Sequence, residues 1–312
     1  MTSIVIAYKY NDIFYAINTS EFKKSDKHIL IIIEKGLIKA ENFPFQEFFH
    51  KIIVFSFKTR IDYIKLIISL FNLDIKSEIT YAFISNPIIV LNQRLIKVLK
   101  VEGVILLEDG VMNYRPFIPS KSILKRISQF LLNVSNQKLY NQIFKTYLIK
   151  PSKAIYAFGK IDNLLFDKAN VKINQSLLQK IDGKKIFIGN DFYLKGYISL
   201  KKYHEIVNKI IEEFEIDYYL PHAFVNNIES VNCKILDLSS WSVTLEMIAG
   251  FVESFNIYSF GSSVNFSCKQ INKNIKTNTF NCDVFAVMPS QFIINNSDNY
   301  YVVDKKNSIS LR

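Results

Sequence analysis

The sequence predicts an α/β protein of parallel sheets covered by helices. Short β-rich apolar runs recur along the whole chain, and longer stretches of helical periodicity separate them. A polar break past the middle, followed by a fresh strand pattern, divides this alternation into two domains.

In the first half the strand patterns lie at residues 3–7, 29–33, 52–55, 80–84, 103–107 and 154–158. Most are runs of Ile, Val, Leu and Phe of strand length, as expected where both faces of a strand are covered. Helical periodicity marks 60–71 and 91–100. It continues where Ile123, Ile127, Phe130, Leu131 and Val134 recur at helical spacing, as do Tyr140, Ile143, Phe144 and Tyr147. The break lies within 172–184, where Asn174-Gln175-Ser176 and the turn Asp182-Gly183 precede a new strand. The expected domains are therefore 1–178 and 179–312, both of ordinary size. In the second, strands are expected at 185–188, 217–220, 234–236, 257–260 and 284–286, and helices at 200–214 and 241–254. No internal sequence repeat is visible. Two such domains facing each other would leave a cleft, where ligands usually sit.

Composition narrows the class. Hydrophobic residues make up 49% of the 312 and aromatic residues 14%, enough to drive a packed globule. No run approaches the roughly 18 consecutive apolar residues of a spanning helix. The first residues lack the pattern of a secretory signal, so a cytoplasmic location is the expectation. Cys233, Cys268 and Cys282 form no metal-ligand spacing and read as reduced thiols.

The net charge of +11 is concentrated. Residues 111–161 hold no acidic residue and nine basic ones: Arg115, Lys121, Lys125, Arg126, Lys138, Lys145, Lys150, Lys153 and Lys160. Such a basic amphipathic span fits either an anionic membrane surface or a phosphorylated acceptor, or simply a solvated basic face packed on its own core. No helix-turn-helix, RNP-like or zinc-knuckle pattern accompanies the charge, so nucleic acid is not the expected partner.

Three segments could carry chemistry. Leu106-Leu107-Glu108-Asp109-Gly110 places two carboxylates and a glycine at the end of a buried strand, where α/β proteins bind ligands. A carboxylate there can take a proton from an attacking hydroxyl, and a surface turn or helix cap is the plainer alternative. Tyr218-Tyr219-Leu220-Pro221-His222 ends a strand in a histidine able to serve a departing phosphate. Of the four histidines it is the best placed: His28 and His50 lie at the starts of strands, and His204 is expected on a helix surface. Phe260-Gly261-Ser262-Ser263 ends another strand, and the serines would form an anion site or an ordinary cap if they open a helix. Ile188-Gly189-Asn190-Asp191 offers a fourth strand-end loop, with Asn190 able to reach a nucleotide. The chain has no P-loop, no GxGxxG after a strand, no GxSxG, no HExxH and no clear Asp-x-Asp clamp. Any nucleotide-sugar chemistry is therefore expected to need no metal, and no cofactor is implied.

In this order the segments resemble the signature of bacterial sialyltransferases, an acid–acid–glycine motif, then His-Pro, then Ser-Ser. The likeness is greatest to the lipooligosaccharide sialyltransferases of glycosyltransferase family 52, with bacterial polysialyltransferases as relatives. It extends over the first strand and its Tyr-rich loop, Leu107 to Tyr114, Ile186 to Phe214, and Leu220 to Ser263 with Glu246 before the Ser-Ser strand. One departure is plain: Pro221 precedes His222, and Ala223 stands where the family has proline.

The resemblance implies the GT-B architecture, two Rossmann-like domains facing an interdomain cleft. The acceptor, a galactoside of a surface glycan such as lipooligosaccharide or capsule, would bind the first domain, and CMP-sialic acid the second. A last helix is expected to pack back on the first domain. Carried over, Glu108 is the general base with Asp109 as alternative or support, and His222 is the general acid on the CMP phosphate. Ser262 and Ser263 bind phosphate or carboxylate, with Gly110, Asn190 and Pro221 lining the substrates. Location is then cytoplasmic, with peripheral contact to the inner membrane face through 111–161. Two other readings stay open: a GT-B enzyme with another nucleotide sugar, and a non-catalytic basic surface-binding protein.

Overall fold

The computed structural model describes residues 1–34, 45–56, 62, 65–66, 78–114, 123–222, 231–285 and 288–311. The chain divides into two compact units, Met1–Val171 and Lys172–Arg312.

In the first unit the strands are β1 (Thr2–Ala7), β2 (Lys27–Glu34), β3 (Lys51–Ser56), β4 (Tyr81–Ile84), β5 (Gly103–Leu107), β6 (Ile143–Leu148) and β7 (Lys160–Asn163). They form one sheet in the order β3-β2-β1-β4-β5-β6-β7. Every pairing is parallel. The central strands β1, β4 and β5 are almost wholly buried, which is why they read as unbroken apolar runs. The outer strand β7 is mostly exposed and polar, as suits an edge.

The second unit contains β8 (Lys185–Ile188), β9 (Tyr218–Leu220), β10 (Lys234–Ile235), β11 (Asn256–Ser259), β12 (Lys276–Cys282), β13 (Asn299–Val303) and β14 (Ile309–Leu311). Their order is β10-β9-β8-β11-β12-β13-β14. All pairings are parallel except β13 with β14. Counted from its own first strand, each sheet thus has the order 3-2-1-4-5-6-7, the Rossmann order with one strand added. The α/β class and two Rossmann-like domains are what the structure has.

The helix Leu200–Phe214 shows how sequence makes these units. Ser199 caps it by accepting the Lys202 N–H at 3.3 Å, and Tyr203, Ile206, Val207, Ile210 and Ile211 form its buried stripe. Each such side chain contributes about 1.5–3 kcal/mol of burial.

Several expected elements differ. Residues 140–147 are not one helix: a short helix ends at Tyr140 and 143–148 form β6, paired in parallel with β5 and β7. Lys145 in that strand is buried, not part of a basic face, and its Nζ lies 2.7 Å from Glu21 Oε1 and 2.8 Å from Asp162 Oδ2. Residues 154–158 are not a strand: the N–H groups of Ile155 and Tyr156 both donate to the Asn113 carbonyl at 2.9 Å instead of a ladder. Of the strand expected at 284–286, residues 284 and 285 lie in a turn closed by Phe285 N–H to the Cys282 carbonyl and 286 lies outside the described residues, while β12, β13 and β14 form where no strand is expected.

The helix expected at 241–254 shrinks to Leu245–Ala249. Ser242 is left-handed and Thr244 starts a new cap. His204 is buried on its helix rather than on the surface. The last described elements are β13 and β14, where a helix is expected. Ala223, Arg115, Lys121 and most of the helix expected at 60–71 lie outside the described residues. No described helix is long and apolar enough to cross a membrane.

Candidate functional site

In the first unit the site-bearing turn follows β5. Gly110, at φ +60°, sends the chain into the tight turn Gly110–Tyr114, a conformation that favours glycine. Glu108 faces inward and is fully buried. Its Oε2 accepts the Tyr114 hydroxyl at 2.6 Å and the Ile149 N–H at 2.9 Å, while Oε1 has no hydrogen-bond partner. Burial pushes its carboxyl up to about 8, so it holds its proton at neutral pH.

Asp109 faces the other way. Its Oδ1 lies 2.8 Å from Lys9 Nζ, its Oδ2 accepts Asn86 Nδ2 at 3.1 Å, and its own N–H donates to Asn113 Oδ1 at 2.7 Å. Lys9 follows β1 and Asn86 follows β4, so the carboxylate is held from three adjacent strands. That place is the topological switch point of the sheet, where open α/β sheets bind ligands.

Below it, Asp12 is buried on the helix Tyr10–Ile17. Its Oδ2 accepts the N–H groups of Tyr8 and Lys9 at 2.8 and 3.2 Å, and burial raises its pKa against the pull of Lys9. Asp12 thereby fixes the turn that presents Lys9. Sequence reasoning missed Lys9, Asp12 and Asn86. The signal was there in the polar residues just past the apolar runs of β1 and β4.

In the second unit the switch point lies between β8 and β11. Gly189 extends β8 by donating to the Leu220 carbonyl at 2.8 Å, and a Cβ there would lie 2.2 Å from the Tyr219 hydroxyl and 3.3 Å from the His222 nitrogen. Only glycine lets these two strand-end loops touch. Asn190 donates its N–H to the Tyr203 hydroxyl at 2.9 Å, and its buried Oδ1 has no hydrogen-bond partner. Asp191 pairs with Lys195 at 2.9 Å.

Pro221 and His222 follow β9, both half-buried. Burial lowers the imidazole pKa, Asp191 pulls it back up and Lys195 pushes it down, and the net shift is downward. His222 is therefore neutral at pH 7, a hydrogen-bond donor through one ring nitrogen rather than a standing imidazolium.

After β11, Gly261 takes φ +91° and would crowd Pro289 if it carried a Cβ. Ser262 caps the helix Ser263–Ile271, its Oγ accepting the Val264 N–H at 3.3 Å. The N–H groups of Gly261 and Ser262 both donate to Ser259 Oγ, at 3.2 and 3.0 Å. Ser259 is in turn held by Asn265, and Asn265 by Thr279. The turn is thus braced from the core. Strands β9, β8 and β11 are neighbours, so their loops span about 10 Å. A neutral imidazole, a carboxamide and a serine-capped helix start on that arc can accept a phosphate ester.

The structure places all predicted site residues within four residues of the carboxyl end of a parallel strand. It orients Glu108 away from solvent, whereas Asp109 is exposed in part. Glu246 is buried on the helix Leu245–Ala249 and shows no place in this arc.

No family model matches the chain, and no curated protein does. Among solved structures, spinosyn forosaminyltransferase SpnP is similar at 8% identity, with 89% of this chain and 79% of that one covered and a TM-score of 0.48. A glycosyl transferase family 9 protein from Veillonella parvula is similar at 11% identity, over 98% and 86%, with a TM-score of 0.42. A UDP-GlcNAc 2-epimerase from Methanocaldococcus jannaschii is similar at 11% identity, over 89% and 83%, with a TM-score of 0.46.

Proposed function

We propose that this protein is a glycosyltransferase of the GT-B class that moves sialic acid from CMP-sialic acid to a sugar hydroxyl, such as a galactose of a surface glycan. The observation that carries the reading is the shared address of its motifs. The acid–acid–glycine, Pro-His and Gly-Ser-Ser segments each crown the carboxyl end of a parallel strand in one of two Rossmann-like units.

In this reading Asp109, not Glu108, is the general base. It takes the proton of the acceptor hydroxyl as that oxygen bonds to the anomeric carbon, while the bond from that carbon to the phosphate oxygen breaks and CMP leaves with inversion. Glu108 is neutral and buried, so it positions the turn through Tyr114. Ser262, Ser263 and Asn190 receive the phosphate and carboxylate of the donor, and His222 donates a hydrogen bond to the departing phosphate oxygen. The transition state is oxocarbenium-like, stabilised by groups fixed in advance. No metal takes part.

Thermal unfolding tests the donor. CMP raises the melting temperature, UDP and GDP leave it unchanged, and EDTA does not alter the CMP shift. Stabilisation by UDP without CMP would assign another donor. Product analysis after incubation with CMP-sialic acid and a panel of galactosides then identifies the acceptor and linkage.

A further inference from the structure

The helix Ile123–Leu131 turns its apolar side outward. Ile123, Ile127, Phe130 and Leu131 recur at i, i+4, i+7 and i+8, one face of a helix, and are 72%, 48%, 84% and 74% exposed. Arg126 is exposed on the same face. The opposite side carries polar groups inward: Gln129 Nε2 donates to Gln93 Oε1 at 3.0 Å and to Asn136 Oδ1 at 2.9 Å, and Lys125 is half-buried. A helix selected to pack only on its own core has the reverse polarity, and a contiguous exposed apolar face of this kind marks an interaction site.

What covers the face is indicated by charge. Within the acid-free span 111–161, Lys145 is buried and ion-paired, but Arg126, Lys138, Lys153 and Lys160 are exposed and basic. Just past the helix, a cavity of about 450 Å³ is lined by Lys97, Lys100 and Lys138 together with Asn133 and Ser135. Asn133 steadies two of these lysines, its carbonyl accepting Lys97 Nζ at 3.1 Å and its Oδ1 accepting Lys138 Nζ at 3.0 Å. An apolar face followed directly by a cationic hollow matches acyl chains beside anionic headgroups. A second copy of the same face would instead bring like charges together.

We propose that the helix Ile123–Leu131 seats the protein on an anionic lipid bilayer. Phe130, Leu131, Ile127 and Ile123 enter the headgroup–acyl boundary, and Arg126 and the three cavity lysines meet lipid phosphates. The inference concerns the first unit alone and stands apart from the donor assignment.

Vesicle flotation of the full chain tests it. Vesicles of phosphatidylcholine with phosphatidylglycerol carry the protein up, vesicles of phosphatidylcholine alone do so weakly, and salt reverses the binding. The double change Phe130→Asp and Leu131→Asp lowers the partition about tenfold or more. Arg126→Glu lowers it several-fold. Because these side chains are exposed, the thermal midpoint of each variant in solution stays that of the parent protein. Absence of flotation on anionic vesicles, or equal flotation of parent and double variant, overturns the proposal. A dimer in size-exclusion chromatography that Phe130→Asp dissociates also overturns it, assigning the face to a second copy.

Discussion

Glu108 and Asp109 are adjacent carboxylic acids that the strand exit sends in opposite directions, and their environments separate their roles. The Glu108 carboxyl titrates at about 8 in the fold against an ordinary 4.5, through burial. The native protein thus retains a proton that the unfolded chain releases, so stability falls as pH rises between those values. The contribution is fully present below about 4.5 and lost through about 8, with a slope approaching 1.4 kcal/mol per pH unit.

Glu108→Gln copies the neutral acid and keeps an acceptor for Tyr114 and Ile149. We expect it to fold and to flatten urea-denaturation stability across about pH 5 to 9. An unchanged slope in the variant would remove Glu108 as the source. The same variant retains transfer, whereas Asp109→Asn loses at least about a hundredfold in kcat with CMP affinity within a few-fold. The opposite pattern would return the base to Glu108. Both acids are plain in the sequence, but burial decides between them, and burial depends on Tyr114 and Ile149, which only the fold brings to Glu108.

At the scale of elements, the strands that were legible are those whose environment is apolar on both sides. β1, β2 and β5 announce themselves as runs of Ile, Val and Leu. β12 does not: Lys-Thr-Asn-Thr-Phe-Asn-Cys looks like a loop, yet all but its first residue is buried. Its polar side chains are satisfied by tertiary partners, as when Asn278 Nδ2 donates to the Ile257 carbonyl at 3.2 Å and Thr277 Oγ1 to Asp298 Oδ2 at 3.2 Å. Such partners lie some twenty residues away in sequence, beyond the reach of a periodicity window. Lys145 in β6 is hidden in the same manner by Glu21 and Asp162.

The Gly261-Ser262-Ser263 turn is legible as a cap but not as a braced one. Gly261→Ala places a Cβ 2.8 Å from the Pro289 Cβ on a left-handed backbone. The expected loss is about 1–3 kcal/mol in denaturation, with weaker CMP binding as Ser262 shifts. Gly250→Ala is the control, since its φ is −72° and the new Cβ would meet only an ordinary contact, Ile271 Cγ2 at 3.8 Å. Equal effects at the two glycines would show that the turn geometry does not matter.

At the scale of the whole molecule, the chain uses one strand order twice without repeating its sequence. Corresponding clusters are filled differently. One in the first unit, around β1, β4 and β5, is built from Ile, Leu, Val and Ala, whereas one in the second includes Phe187, Tyr203, Tyr219, Tyr258, Phe260 and Phe280. A strand order is set by where apolar runs and crossover helices fall, not by which apolar residues fill them, so the repeat is invisible to residue matching. With separate cores, the two units are expected to melt as separable transitions in calorimetry, outside a single two-state description. Every residue assigned to the donor phosphate lies in Lys172–Arg312, and a ligand stabilises only what it binds. CMP should therefore raise the transition of the second unit, by about 2.7 kcal/mol at a hundredfold excess over Kd, and leave that of the first in place. Assignment is direct, because Gly261→Ala lowers the same transition that CMP raises. A CMP shift confined to the other transition would move the donor site to the first unit and reverse the division of labour between Asp109 and His222.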